Sequence, residues 1–241
     1  LKNPENNKAK WASAASTFKS VIDLGTYSLF ANRETMFYES NNSNSEVIFE
    51  KTYLGGTSIG NSRSGLQPIC YVGGTQNSWS GVNVTQELVD EYAMANGIPI
   101  TDPQSGYDPQ NPYKNREKRF YQDIIYDGAD FMGYEAVYWT GSGSMNELDL
   151  NFGSTGRPCT VYHSRKAIEP QYYVNGYNQL SSANWVIFRY AEVLLGYAEA
   201  QNEANGPDES VYRTMNEIRA RVDLPEKKTG LSQAEMRTAI H

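Results

Sequence analysis

Histidine, cysteine and long apolar runs are all scarce in this chain of 241 residues, and each scarcity removes a class of function. Only two histidines occur, His163 and His241, and His163 has no ligand partner one helical turn away. A zinc site needs three or four ligands, so His163 is expected as a packed or surface residue and no metal is expected from it. Cys70 and Cys159 stand 89 positions apart and fit no metal or redox spacing; one disulfide and two unpaired thiols remain equally open. No apolar stretch approaches the roughly 18 residues of a membrane span, and the opening LKNPENNKAKW lacks the charged-then-apolar layout of a signal peptide, so any export signal is expected outside these residues. Positive charge is in deficit as well. Lys and Arg number 21 against 28 Asp and Glu, a net charge of -7 with no basic run, which sets the surface against a nucleic-acid backbone as partner.

What the chain does have is tyrosine. Eighteen Tyr and 4 Trp stand against 8 Phe, at a mean hydropathy of -0.62. Rings with a polar tip suit half-wet positions: they can fill gaps between helices and loops, and they can face a sugar.

Along the chain, Trp11, Ala14, Ala15, Phe18, Val21 and Ile22 recur at helical spacing and Gly25 stands where a helix C-cap belongs, predicting an amphipathic helix over Asn7–Leu24. Tyr27–Phe30 is extended, and EVIFEKTY (46–53) reads as a strand. From Leu54 to Gly81 the chain carries seven glycines and many serines with Tyr71 and Trp79 embedded, too long for an ordinary connection and suited to a binding loop. Asn83–Asn96 returns to helix, with Asn83 and Gln86 at capping-box spacing, Leu88, Val89 and Tyr92 on one face, and Gly97 and Pro99 as stops. A Pro/Gly/Asp-rich loop follows to about Pro112, then short strands at Ile124–Tyr126 and Ala136–Trp139 and a second Gly/Ser-rich stretch, Thr140–Gly156.

The last third is strongly patterned. Trp185–Asn205 predicts a helix with a stripe of Ile187, Tyr190, Ala191, Leu194, Leu195 and Ala198, stopped by Gly206-Pro207. Asp208–Val222 predicts a second, with Val211, Met215, Ile218 and Val222 in line, and the pair forms an antiparallel hairpin like one tetratricopeptide unit. No second copy follows at the period of about 34 residues, so cover for both apolar faces is expected from elsewhere. Ser232 and Glu235 make a capping box for a last helix toward His241.

Little here points to catalysis. Gly56-Thr57-Ser58-Ile59-Gly60 matches the G-x-S-x-G elbow, but that turn needs a helix after its serine and Asn61–Pro68 has no apolar period. A glycosidase needs two carboxylates about 5 to 10 Å apart across a sugar; Glu46, Glu50, Asp123, Asp127, Asp130, Glu147 and Asp149 are plentiful, yet no spacing selects a pair. Glu147, Asp149 and Asn151 alternate like part of a calcium loop, with Phe152 where the sharp-turn glycine would stand, and calcium stays open. Sugar binding asks for less: an aromatic ring for the C–H face and amides or Arg for the hydroxyl rim, the composition of CYVGGTQNSWSG (70–81).

Several stretches resemble the RagB/SusD family of nutrient-binding lipoproteins of Bacteroidetes-type bacteria. KWASAASTFKSVIDLGTYSLF (10–30) followed by EVIFE (46–50) is similar to the family's helix-then-strand passage, and VTQELVDEYAMANGIPI (84–100) with YDPQNPYKNREKRFY (107–121) to its next segment, where Glu117-Lys118 replaces the usual acidic-proline pair. FRYAEVLLGYAEAQNEA (188–204) with MNEIRARVDLP (215–225) resembles the family's terminal helix pair, and MRTAIH (236–241) the opening of the helix that follows.

That resemblance implies a mainly α fold, a tetratricopeptide-like helical scaffold with an irregular, loop-rich ligand-binding part and a few short strands. The chain is then expected to be the C-terminal portion of a single domain: helix and strand over 1–53, the variable part over 54–184 and the repeat-like part over 185–241. Most of the repeats and the lipidated cysteine would lie upstream, since neither Cys70 nor Cys159 fits an anchor. The implied function is non-catalytic capture of oligosaccharides at the outer-membrane surface by a lipoprotein lying as a lid on a SusC-type TonB-dependent porin, with no cofactor. Because ligand-facing aromatics in the family follow the EVIFE-like strand, the resemblance points to Trp79 first, then Tyr53 and Tyr71, with Gln76 and Asn77 as polar partners; Trp139 and Tyr134 stand in the second variable region. The other reading is a surface or scaffold protein of the same fold for a peptide or another non-glycan nutrient, because fold does not fix ligand.

Overall fold

A computed structural model describes residues 7–57, 60, 71–72, 75–76, 83–131, 133–136, 138, 160–169 and 180–241, and of 71–72, 75–76 and 134 the main chain alone. The chain forms two compact units, one made of Leu1–Arg33, Ser43–Lys51 and Val186–His241, the other of Glu34–Asn42 and Thr52–Trp185.

The first unit is helical. Helix α1 (Lys8–Asp23) starts where the Asn7 side chain accepts from the Ala9 N–H and ends at Gly25, whose φ of +63° closes the last turn with its N–H on the Ile22 carbonyl. Trp11 and Ala15 are buried on its inner face, with Phe18 and Ile22 beside them. Strand β1 (Val47–Lys51) follows.

The stretch expected as one helix over Trp185–Asn205 is a strand and then a helix. Trp185–Arg189 pairs with β1, and helix α4 begins only at Tyr190 and runs to Asn205. WVIFR is rich in β-branched and aromatic residues, and β1 offers it a ladder that a helical turn would forgo. Ile187, expected in the helix stripe, is therefore exposed on the strand. Asp208 caps helix α5 (Glu209–Ala220), accepting from the Ser210 and Val211 N–H groups. Ser232 and Glu235 form both arms of a capping box on α6 (Gln233–Ile240).

Cover for these apolar stripes comes from other segments of the chain. Tyr190, Val193 and Leu194 of α4 pack against Phe18, Val21 and Ile22 of α1, Ile48 of β1 and Ile218 of α5. Ala198, Val211, Tyr212, Met215 and Met236 close the other side. Gly196 lets α1 approach: a Cβ there would stand 2.5 Å from Phe18 Cζ.

The second unit is loop-rich, with helices α2 (Gln86–Asp90) and α3 (Lys118–Asp123) and strand pairs of two residues each. These are β2 (Tyr71–Val72) with β3 (Thr75–Gln76), β4 (Ile124–Ile125) with β7 (His163–Ser164), and β5 (Asp130–Phe131) with β6 (Tyr134–Glu135). Of the strand expected at Ala136–Trp139, Ala136 lies outside a strand with its N–H on the Ala129 carbonyl, and Val137 and Trp139 lie outside the described residues.

The helix expected over Asn83–Asn96 lasts only five residues, is capped by Thr85 rather than Asn83, and leaves Leu88 exposed while Val89 is buried. Asn83 instead bridges to His163. What stops the helix is Arg116, whose guanidinium takes the Val89 and Tyr92 carbonyls at 2.6 and 2.7 Å, while the Ala93 N–H turns to the Glu117 carboxylate. Groups the next helical turn needs are already engaged.

Candidate functional site

The glycine-rich stretch singled out in the sequence leaves β1 through Tyr53, and a polar seat on the single segment 180–184 holds its first residues. The Tyr53 N–H donates to Asn184 Oδ1 at 3.2 Å, Gly55 N–H to Ser182 Oγ at 2.9 Å and Gly56 N–H to the Leu180 carbonyl at 2.9 Å. The seat is itself tied down. Ser182 N–H donates to Glu39, Asn42 donates to the Ser182 carbonyl and accepts from Asn184 N–H, and Glu39 N–H donates to Glu169. Side chains at 55 and 60 would not fit: a Cβ at Gly55 would meet Ser182 Oγ at 2.7 Å and one at Gly60 would meet Leu180 Cβ at 2.5 Å.

Further along, Tyr71 and Gln76 are direct register partners across β2 and β3, so two of the expected site residues stand opposite each other. Tyr53, half-buried, is placed by its N–H on Asn184. Trp79, Asn77 and Trp139 lie outside the described residues, and Tyr134 pairs with Phe131 through its main chain. At the elbow-like sequence, Gly60 N–H returns to the Thr57 carbonyl and Thr57 Oγ1 donates to the Leu54 carbonyl; Ser58 lies outside the described residues.

Much of the described tyrosine is structural. Tyr113, Phe120, Tyr121 and Tyr126 form one ring cluster of stacked, tilted and edge-to-face pairs with centroids 4.5 to 6.2 Å apart, and Arg116 lies 4.8 Å over Phe120. Burial pushes the Tyr113 hydroxyl far above its ordinary range, and the hydrogen bond with Tyr162 adds to it. His163 is a packed histidine: it is fully buried, its Nδ1 meets the Tyr138 hydroxyl, and burial lowers its pKa to about 4.

Several carboxylates considered for catalysis are committed to hydrogen bonds. Glu46 is fully buried and gripped by Arg189 and Arg221, with the Phe30 N–H as a third donor. Glu50 accepts from Ser43, Asp123 from the Tyr92 hydroxyl and Asp127 from the Tyr138 N–H; Glu147 and Asp149 lie outside the described residues. Among the described residues no group of three or more His, Cys, Asp or Glu side chains is placed to hold a metal ion, and no helix is long and apolar enough to cross a membrane.

Sequence reasoning missed the seat. Ser182, Asn184, Glu39 and Asn42 carry no local periodicity or motif, and their partners lie 127 to 143 positions away.

Comparison with known proteins gives a consistent neighbourhood. The family model described as SusD family matches residues 45–241. A SusD-like carbohydrate-binding protein from Bacteroides fragilis is 30% identical with a TM-score of 0.79 over 96% of this chain and 44% of that one. A second SusD-like protein from the same organism is 27% identical, TM-score 0.73, over 96% and 47%. A surface glycan-binding protein from Bacteroides uniformis, 15% identical at TM-score 0.61 over 97% and 42%, shares the fold alone. No curated protein matches. The chain spans less than half the length of these structures, and the fold is theirs: mainly α, a tetratricopeptide-like scaffold carrying a loop-rich part.

Proposed function

The chain belongs to the SusD family, and from that membership we propose that it binds oligosaccharides, without cleaving them, at the outer surface of a bacterial outer membrane. The observation that carries this reading is the match over 45–241 together with a 30% identical relative described as carbohydrate-binding. In this proposal the protein is a lipid-anchored partner of a TonB-dependent, SusC-type porin and hands the captured glycan to it.

The chemistry of the candidate loop is consistent with that role. A pyranose presents an apolar C–H face to an aromatic ring and a rim of hydroxyls to amides. Trp79 is the proposed stacking platform, with Tyr53, Tyr71 and Trp139 as further rings and Gln76 and Asn77 as amide partners. Tyr71 and Gln76 are main-chain register partners across β2 and β3. Glu46, Glu50, Asp123 and Asp127 each serve a structural hydrogen bond, which supports a binding role over a hydrolytic one.

The test is calorimetry of the purified protein with neutral hexasaccharides built on maltose, xylose, mannose and cellulose units, with reducing ends assayed after long incubation. Saturable binding without new reducing ends is expected. Failure to bind any of them, or release of reducing ends abolished by one carboxylate substitution, overturns the proposal.

A further inference from the structure

The segment that leads from β1 into the glycine-rich stretch is held more closely than a connection requires. Three consecutive anchor points, Tyr53, Gly55 and Gly56, give their N–H groups to Asn184, Ser182 and Leu180. The seat is braced from behind by Glu39, which accepts from Ser182 N–H at 3.0 Å and gives its own N–H to Glu169 at 2.8 Å. Asn42 completes the brace by accepting from Asn184 N–H at 2.8 Å and donating to the Ser182 carbonyl at 2.8 Å. Asn184 and Glu169 are buried, at 7% and 6% exposure. Glycine at 55 is what permits the approach, because any Cβ there would collide with Ser182 Oγ and with its main-chain nitrogen at 2.9 Å.

A polar side chain buried against main-chain donors of another segment fixes a position as well as contributing stability, since each lost acceptor leaves a desolvated N–H. We propose that Asn184 and Ser182, braced by Glu39 and Asn42, are positioning residues for the ligand site: they set where Tyr53 and the start of the 54–81 stretch stand, and through that set affinity without touching the glycan. This rests on the reading that 54–81 carries the glycan site. The ring at 53 is the one expected site residue whose position the seat fixes directly, one N–H away from Asn184 Oδ1.

Because every group held by the seat is a main-chain N–H, no loop side chain makes these contacts, and the close approach constrains the sequence at Gly55 and Gly60. A positioning role of this kind separates affinity from global stability. It also depends on an acceptor at 184, so Asp can serve there and an isosteric apolar side chain cannot.

The full chain is the material for the test. Hydrogen exchange reads the Tyr53, Gly55 and Gly56 amides, and calorimetry reads affinity for maltohexaose, xylohexaose, mannohexaose and cellohexaose. In the wild type these three amides exchange slowly; exchange at the rate of an open loop overturns the seat whatever the glycan result. Asn184→Leu is expected to weaken the hexasaccharide that the wild type binds best by about tenfold, with the Tyr53 amide unprotected, and Asn184→Asp to stay within about threefold of wild type. Should Asn184→Leu lower the melting temperature, Ser182→Ala, which removes a single hydroxyl, decides by the same two readings at Gly55. Equal affinity in the wild type and these variants overturns the positioning role and leaves the glycan reading standing. A wild type with protected amides that binds none of the four hexasaccharides overturns the glycan reading, and the positioning role with it.

Discussion

Glu46 and Arg221 are 175 residues apart in the chain and meet at 2.5 Å, with the carboxylate fully buried and the guanidinium side chain 6% exposed. Arg189 holds the other carboxylate oxygen, so one buried anion joins the residue before β1, the end of the strand Trp185–Arg189 and the residue after α5. The first residue of the EVIFE stretch, one of the stretches that carry the family resemblance, is thus a structural clamp.

Removing that anion leaves two guanidinium groups facing each other with little water to screen them. Glu46→Ala is expected to destabilise the fold by about 3 to 5 kcal/mol. Guanidinium denaturation measures it, and a loss below about 1 kcal/mol would show the pair to be energetically idle.

Gly196 predicts a steric effect with a specific remedy. A methyl there would fall 2.5, 2.7 and 2.9 Å from three atoms of the Phe18 ring. Gly196→Ala should therefore cost about 1 to 3 kcal/mol despite the better helix propensity of alanine. Adding Phe18→Leu should recover part of that loss, and a strictly additive pair by thermal melting would rule the contact out as the cause.

The buried imidazole of His163 sets a pH dependence whose direction follows from its lowered pKa of about 4. In the unfolded chain it titrates near 6.5, so between about pH 6.5 and 4 the unfolded state holds a proton the folded state refuses. Stability is full above that window and declines as pH falls through it, by about 3 kcal/mol in all from this group. His163→Gln should flatten the slope of stability against pH by about 1.4 kcal/mol per pH unit in the window. Tyr138→Phe, which removes the hydroxyl from Nδ1, should cost about 1 kcal/mol at neutral pH.

Trp79→Ala tests the proposed platform. Loss of a stacking ring should weaken the best-bound hexasaccharide by about 1 to 3 kcal/mol with the melting curve unchanged. Unchanged affinity by calorimetry removes Trp79 from the site.

What the sequence determined by itself is the set of elements whose signals lie within one helical turn of their ends. Asn7 and Gly25 bound α1, Asp208 opens α5, and Ser232 with Glu235 opens α6, because a cap is a hydrogen bond between residues two to four apart and needs no tertiary partner. The same holds for β1, whose β-branched and aromatic run the sequence displays.

Only the tertiary structure decided the rest. WVIFR carries both helical spacing and β propensity, and the ladder offered by β1 settles it as strand. The helix after Thr85 stops because Arg116 and Glu117, more than twenty residues later, capture its hydrogen-bonding groups. The candidate site divides in the same way. Composition drew attention to the stretch 54–81, while the side chains that hold its origin in place, Ser182 and Asn184, lie 127 and 131 residues from the N–H groups they receive. A buried acceptor is useful only where the fold delivers a donor to it, and local periodicity carries no record of which distant N–H that will be.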